Sequence, residues 1–284
     1  MSKLQHNTRR GLSVFLVLII LTVAVLSAGC DELDRLKVKT GLKNSDFEYI
    51  REERVDKIVI QNMRDQGFKF VVTDQNAIKD LYDILSSGKK VSKKSSLQPD
   101  YVFEIYEGNN KVHRFKYVAG LDKKDGGNLY SNNQIYIISK RIDSDIINNF
   151  WNIRMPPNNF KQVYYGSIMK ALDEYFQGKN KNEKIGINFK DDIDGARFIL
   201  STEVEEFKSD LNDKYKNAGI GNNDKDKYDV WVTIKTEGYK STLYKATITF
   251  WNRKDKSEKI YYAYDNYNGA GWDIEVYKNK PGSF

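Results

Sequence analysis

Two stretches of the chain carry the same order of patterns, and that order narrows the fold more than any single motif does. Residues 57–85 read KIVIQNMRDQGFKFVVTDQNAIKDLYDIL, and residues 184–215 read KIGINFKDDIDGARFILSTEVEEFKSDLNDKY. Each opens on Lys-Ile-x-Ile and passes a polar turn holding Asp and Gly. Each then gives a short apolar strand and enters a helix behind a Thr/Asp or Ser/Thr cap. In the first helix Ile78, Leu81, Tyr82 and Leu85 recur at the spacing of one buried stripe. Val204, Phe207, Leu211 and Tyr215 make a similar stripe in the second, where Thr202 and Glu205 have the spacing of a capping box.

The parallel continues past the helices. DYVFEIYEGNNKVHRFKYV (100–118) and DVWVTIKTEGYKSTLYKATITFW (229–251) each read as strand, turn and strand, with Glu-Gly at the turn. Tyr101, Phe103 and Ile105 alternate with their neighbours, as do Val230, Val232 and Ile234, which is the period of a half-buried antiparallel strand. A third strand follows in each copy, at 132–139 and 257–265. The expected fold is therefore α+β: two tandem, duplicated β-β-α-β-β-β domains with antiparallel sheets, joined by a helical linker.

In that linker Asp143 or Ser144 is placed to cap a short helix ending near Trp151. Pro156 and Pro157 then break the chain, because proline cannot continue a helix and restricts the residue before it. A second helix over 159–177 puts Phe160, Val163, Tyr164, Ile168, Leu172 and Tyr175 on one face, apolar enough to pack between the two domains. The expected boundaries are 55–156 for the first domain and 157–284 for the second with its leading helix. Residues 30–54 read as a charged tether, helical at FEYIREERV, and residues 1–29 as a signal.

That signal rests on a recognisable pattern. Lys3, Arg9 and Arg10 precede the apolar run GLSVFLVLIILTVAVLS, and LSAGC at 26–30 ends it on the chain's one cysteine. The run is about long enough to span a bilayer, which takes about 20 residues, so a retained helix is the alternative. LSAGC resembles the lipobox of bacterial lipoprotein signal peptides. The resemblance implies cleavage before Cys30, a diacylglycerol on its thiol, and attachment to the extracytoplasmic face of the cell membrane. Two or more acyl chains anchor stably where one does not. Residues 55–154 also resemble the YhfM-like domain of small Gram-positive lipoproteins, through FKFVVTDQNAIKDLYDIL and the hairpin after it. That resemblance implies surface attachment and brings no catalytic signature.

With one cysteine no internal disulfide can form, so stability must come from burial. Removing 1–29, which holds three basic residues and no acid, lowers the formal charge of +7 by three. That excess is too small to argue for nucleic-acid binding. Clusters such as GKKVSKKSS (88–96) and LDKKDGG (121–127) read as solvated loops, or as patches that meet phospholipid headgroups, teichoic acid or an acidic protein face.

Catalytic and metal chemistry find little material. Of the two histidines, His6 lies in the signal and His113 stands alone on a strand beside Phe115 and Tyr117, as a packing or edge residue. No Gly-x-Ser-x-Gly elbow accompanies it, and a zinc site needs several His or Cys ligands. FKDDIDGARF, with Asp191, Asp192 and Asp194, and GNNDKDKYD, with Asp224, Asp226 and Asp229, lack the spacing of a calcium loop and read as turns. No catalytic residue, metal ligand or cofactor is expected. The most suggestive stretch is YYAYDNYNGAGWDIEVY (261–277). It reads as a hairpin turning at Asn268-Gly269, whose Tyr264, Tyr267 and Trp272 are candidate ligand-binding residues if exposed. The expected function is that of a membrane-anchored binding or accessory module for an envelope protein or cell-wall polymer, without nucleic acid. A carboxylate-dependent wall hydrolase is the alternative.

Overall fold

The computed structural model describes residues 36–121, 125–149, 155–179, 181–222, 224–282 and 284. The signal, Cys30 and the expected helix end near Trp151 lie outside the described residues. The chain forms two lobes, each built on a seven-stranded mixed or antiparallel sheet with helices against one face. The α+β class and the two tandem β-rich units thus hold.

The first lobe begins with α1 (Glu48–Arg51), β1 (Val55–Asn62), β2 (Lys69–Val72) and α2 (Gln75–Ser86). It continues with β3 (Lys89–Lys90), β4 (Tyr101–Glu107), β5 (Lys111–Tyr117), β6 (Leu129–Tyr130) and β7 (Ile135–Ile137). The sheet order is β2-β1-β4-β5-β6-β7-β3. Alternation sends Ile58, Ile60, Phe103, Ile105, Phe115 and Tyr117 to one face, where the expected stripe of α2 covers them. Asp74 caps α2 by accepting from the Ala77 amide at 2.9 Å. Phe47, Tyr49 and Ile50, expected in a charged tether, are core residues, with Phe47 packed on Phe115 and Tyr136. The segment 141–149 is helical, with a π-turn over Asp143–Ile147 that buries Ile146 and Ile147.

The second lobe starts with α3 (Phe160–Tyr175), β8 (Ile185–Asn188), α4 (Ile193–Ala196), α5 (Ser201–Lys214) and β9 (Ala218–Ile220). Then come β10 (Val230–Lys240), β11 (Leu243–Asn252), β12 (Glu258–Tyr267), β13 (Trp272–Asp273) and β14 (Val276–Tyr277). The helix α3 belongs to the second core. All six residues of its expected face sit in the second core, against β11, β12 and β14.

The two copies also differ at their start. In the first, the turn over Met63–Gly67 reverses the chain, so β2 pairs antiparallel with β1 and β1 runs antiparallel to β4. In the second, no strand forms over ARFIL. Asp192 caps α4 by accepting from the Gly195 amide, and Phe198 and Ile199 then drop into the interior. The chain crosses over through α5 and returns as β9, parallel to β8, which itself runs parallel to β10. A helix between strands supplies the long connection that parallel pairing needs. The second unit is β-α-α-β-β-β-β at its core, and the strict β-β-α-β-β-β repeat does not hold there.

The lobes are joined by a polar latch. Asp100 enters β4 fully buried, and its Oδ1 accepts from the Ser201 amide at 2.8 Å and the Ser201 hydroxyl at 2.9 Å. The same oxygen meets Arg64 Nη1 at 2.6 Å, while Oδ2 accepts from the Ala119 amide at 2.9 Å. A carboxylate of the first lobe thus sits at the N-terminus of α5 in the second, where unpaired amides and the helix dipole favour negative charge. Around it Asn62 donates to the Arg197 carbonyl at 3.0 Å, Arg197 pairs with Asp65 at 3.2 Å, and Phe68 meets Phe198 edge-on. The expected Thr202–Glu205 box is not the cap. Glu203 accepts from the Leu200 amide at 3.4 Å, and Thr202 turns to the Ala119 carbonyl of the other lobe, because α5 begins two residues earlier than the box requires.

Candidate binding cleft between the lobes

The latch holds open a cleft of about 580 Å³ on one side of the junction. From the first lobe it is lined by Met63 and Arg64 of the β1–β2 turn and by Leu97 and Pro99 ahead of β4. From the second come Phe189, Val204 and Ile220. Asn62 shapes the turn: its Oδ1 accepts from the amides of Arg64 and Asp65, which aims Arg64 across the junction. Arg64, Lys190 and Lys208 bring positive charge to the lining and Glu205 brings negative, with Lys208 and Glu205 3.5 Å apart. The lining therefore mixes apolar and polar side chains with three cations, of which Arg64 is paired with Asp100 and Lys208 with Glu205.

One wall of the cleft ends in a sheet edge. β9 is the outermost strand of its sheet. The Ile185 amide donates to Asn217 O at 3.1 Å and the Gly221 amide to Ile187 O at 2.9 Å, so 217 and 221 face β8. Strand alternation then turns the N–H and C=O of Ile220 away from β8, to the open edge. Gly221 is required here, since a Cβ on it would come within 2.2 Å of the Trp231 ring.

The candidates at 261–277 do not assemble. Trp272 is only 7% exposed: it belongs to the second core and donates its indole N–H to Asn158 O. Tyr267 packs edge-on against it, ring centroids 5.5 Å apart. Tyr264 lies three residues earlier on β12 and so faces the opposite side of the sheet, under Lys245. A stacking platform of the three rings does not exist. The hairpin does, with Asn268 accepting from the amides of Ala270 and Gly271 and Gly269 at a φ of 94°.

The other residues singled out in the sequence have structural partners. His113 stacks on Tyr49 at 3.9 Å, with Nε2 2.7 Å from Glu107, as a packing residue. Lys111 and His113 bonded to Glu107 hold its carboxyl down at about 2. Asp191 accepts from Asn188, Asp194 pairs with Arg197, and Asp229 pairs with Arg253. Among the described residues no three His, Cys, Asp or Glu side chains gather where they could hold a metal ion.

Burial pushes four carboxyls upward, Asp143, Asp192, Glu203 and Asp265, with Glu203 reaching about 7. Asp192 accepts from Thr236 and Tyr164 inside the second core, and burial outweighs those bonds to raise it. Asp265 rises to about 7 for the same reason. Its Oδ2 lies 2.6 Å from Ser167 Oγ, and that hydroxyl also reaches the Val163 carbonyl. One hydroxyl proton serves one acceptor. Both contacts are hydrogen bonds only when Asp265 carries a proton that it donates to Ser167.

Neither the latch nor the cleft was foreseen from the sequence. Asp100 and Ser201 are 101 residues apart, and the one local hint was a Pro-Asp step ahead of a strand. Among the described residues no helix is long and apolar enough to cross a membrane. Comparison with curated proteins and with solved structures gives no match. A family model does match: residues 51–156, the span of the first lobe from α1 to the paired prolines, fit the family described as YhfM protein.

Proposed function

We propose that this chain is a lipid-anchored, extracytoplasmic binding module, held to the membrane through Cys30, whose interlobe cleft takes an extended segment of an envelope protein. The observation that carries the reading is the open edge of β9 beside a cleft lined by apolar, polar and cationic side chains. Main-chain groups of Ile220 offer one donor and one acceptor to an added strand, and the apolar part of the lining takes alternate apolar side chains. The buried latch fixes the lobes, so the cleft is formed before the ligand arrives and less ordering is lost on binding.

The reading is non-enzymatic. The hydrolase alternative draws no support from the acids raised by burial, since none of Asp143, Asp192, Glu203 and Asp265 lines the cleft.

A photoreactive residue at exposed Lys190 tests this in cells. It should give one discrete protein adduct that the same probe at Glu258 does not give. Ile220→Pro, which deletes an N–H outside the β8 ladder, should abolish the adduct while the chain remains folded. Equal adducts from both positions, or an adduct indifferent to Ile220→Pro, would reject strand addition in the cleft.

A further inference from the structure

The chain enters the fold at one pole of the first lobe, and that pole has an unusual surface. The segment 36–46 is compact: the amides of Leu42 and Lys43 both donate to Lys37 O, at 2.8 and 3.1 Å. Asn44 fastens it to the end of α2, through its amide to Ser86 O and its side chain to Leu85 O and Gly88 O. Lys90 of the edge strand β3 meets Asp46 at 3.3 Å, so β3 borders the same pole. Two leucines stand in water there, Leu36 at 54% and Leu42 at 73% exposed. Lys37 and Lys39 of the same segment and Lys89 and Lys90 of β3 are exposed as well, Lys90 beside Asp46.

Exposed apolar side chains accompanied by lysines have a physical use at the boundary between anionic headgroups and acyl chains. We infer that this pole docks onto the anionic phospholipid surface of the membrane, with Leu36 and Leu42 entering the interface and the lysines pairing with headgroups. The argument for this occupant is reach. Six peptide steps separate Cys30 from Leu36, at most about 20 Å of chain. Given the lipid anchor proposed above, on which this inference rests for its distance, no other part of the described fold is tied so closely to the bilayer. Docking there turns a tether into a fixed orientation for the lobes.

The test uses the full chain, purified from membranes in its anchored form and reconstituted into bilayers. A nitroxide is placed at Leu42→Cys, or at Glu258→Cys as a control in the second lobe. In bilayers of mixed phosphatidylglycerol and phosphatidylcholine, the Leu42 label should be shielded from a water-soluble relaxant and the control should not. Each lysine near an anionic surface changes partitioning by about fivefold. A Lys37→Glu, Lys39→Glu, Lys89→Glu variant should therefore return the Leu42 label to the accessibility of the control with its melting unchanged. Exposure of the Leu42 label in anionic bilayers, or equal shielding in pure phosphatidylcholine, would overturn the inference. Shielding seen only in intact cells and lost when wall polymer is removed would overturn it too. Intact mass of the same sample reads the anchor separately: a chain still beginning at Met1 rejects lipidation of Cys30, while the label depth still decides the pole.

Discussion

Asp100→Ala removes the buried carboxylate at the centre of the latch between the lobes. In the native protein its carboxylate is fully buried and accepts from Arg64, Ser201 and Ala119. The variant leaves two buried amides without acceptors and a guanidinium without its counter-charge. Breaking one partner of a buried ion pair costs about 3–5 kcal/mol, of which the lost helix cap accounts for about 1. For a chain of this size that is about 10 °C in melting temperature, at about 2–4 °C per kcal/mol. The cost should also change the shape of unfolding. Trp231, Trp251 and Trp272 lie in the second lobe, so with the fourth tryptophan removed by Trp151→Phe their fluorescence follows that lobe in a urea titration, while far-ultraviolet dichroism follows both. Wild type should give coincident transitions. Asp100→Ala should separate them, and a double-mutant cycle with Ser201→Ala should return a coupling of about 1–3 kcal/mol. A loss below about 1 kcal/mol with coincident transitions would refute the latch.

Two further outcomes follow from the second core. Asp265 is raised to about 7 in the folded chain, against about 3.9 unfolded. The folded form binds this proton more tightly, so its contribution is full below about pH 4 and is lost as pH rises through 7. The span is about 4 kcal/mol. Asp265→Asn keeps a donor toward Ser167 and an acceptor for the Glu275 amide. Denaturant titrations should show it losing that part of the pH slope and exceeding wild type at pH 8, and an unchanged slope would contradict the protonated carboxyl. Gly221→Ala drives a Cβ into Trp231 and should cost about 1–3 kcal/mol by thermal melting.

The residues legible in the sequence were those whose partners are local. The stripes of α2 and α3 were correct because helical spacing alone puts Ile78, Leu81 and Tyr82, or Phe160, Val163 and Tyr164, on one face. The hairpin at 261–277 was read from Asn268-Gly269, whose turn bonds are all within three residues. The second unit misled because ARFIL has strand composition, while its fate was decided by Asp192 and by a core that took Phe198 and Ile199. Parity divides the aromatic candidates: Tyr264 and Tyr267 are an odd number of residues apart on one strand and cannot share a face. Asp100, Arg64, Ser201 and the open edge of β9 belong to pairings across lobes or strands, which no local spacing encodes.

Amide exchange at Ile220 tests the central claim most directly. The peptide segment recovered by crosslinking from Lys190 would be synthesised and added to the chain, and exchange followed residue by residue. An added strand must take up the Ile220 N–H, so that amide should slow at least about tenfold while Ile187, already inside the ladder, changes little. Binding that leaves Ile220 unchanged and protects the outer face of β12 at Tyr262 and Tyr264 instead would contradict the account.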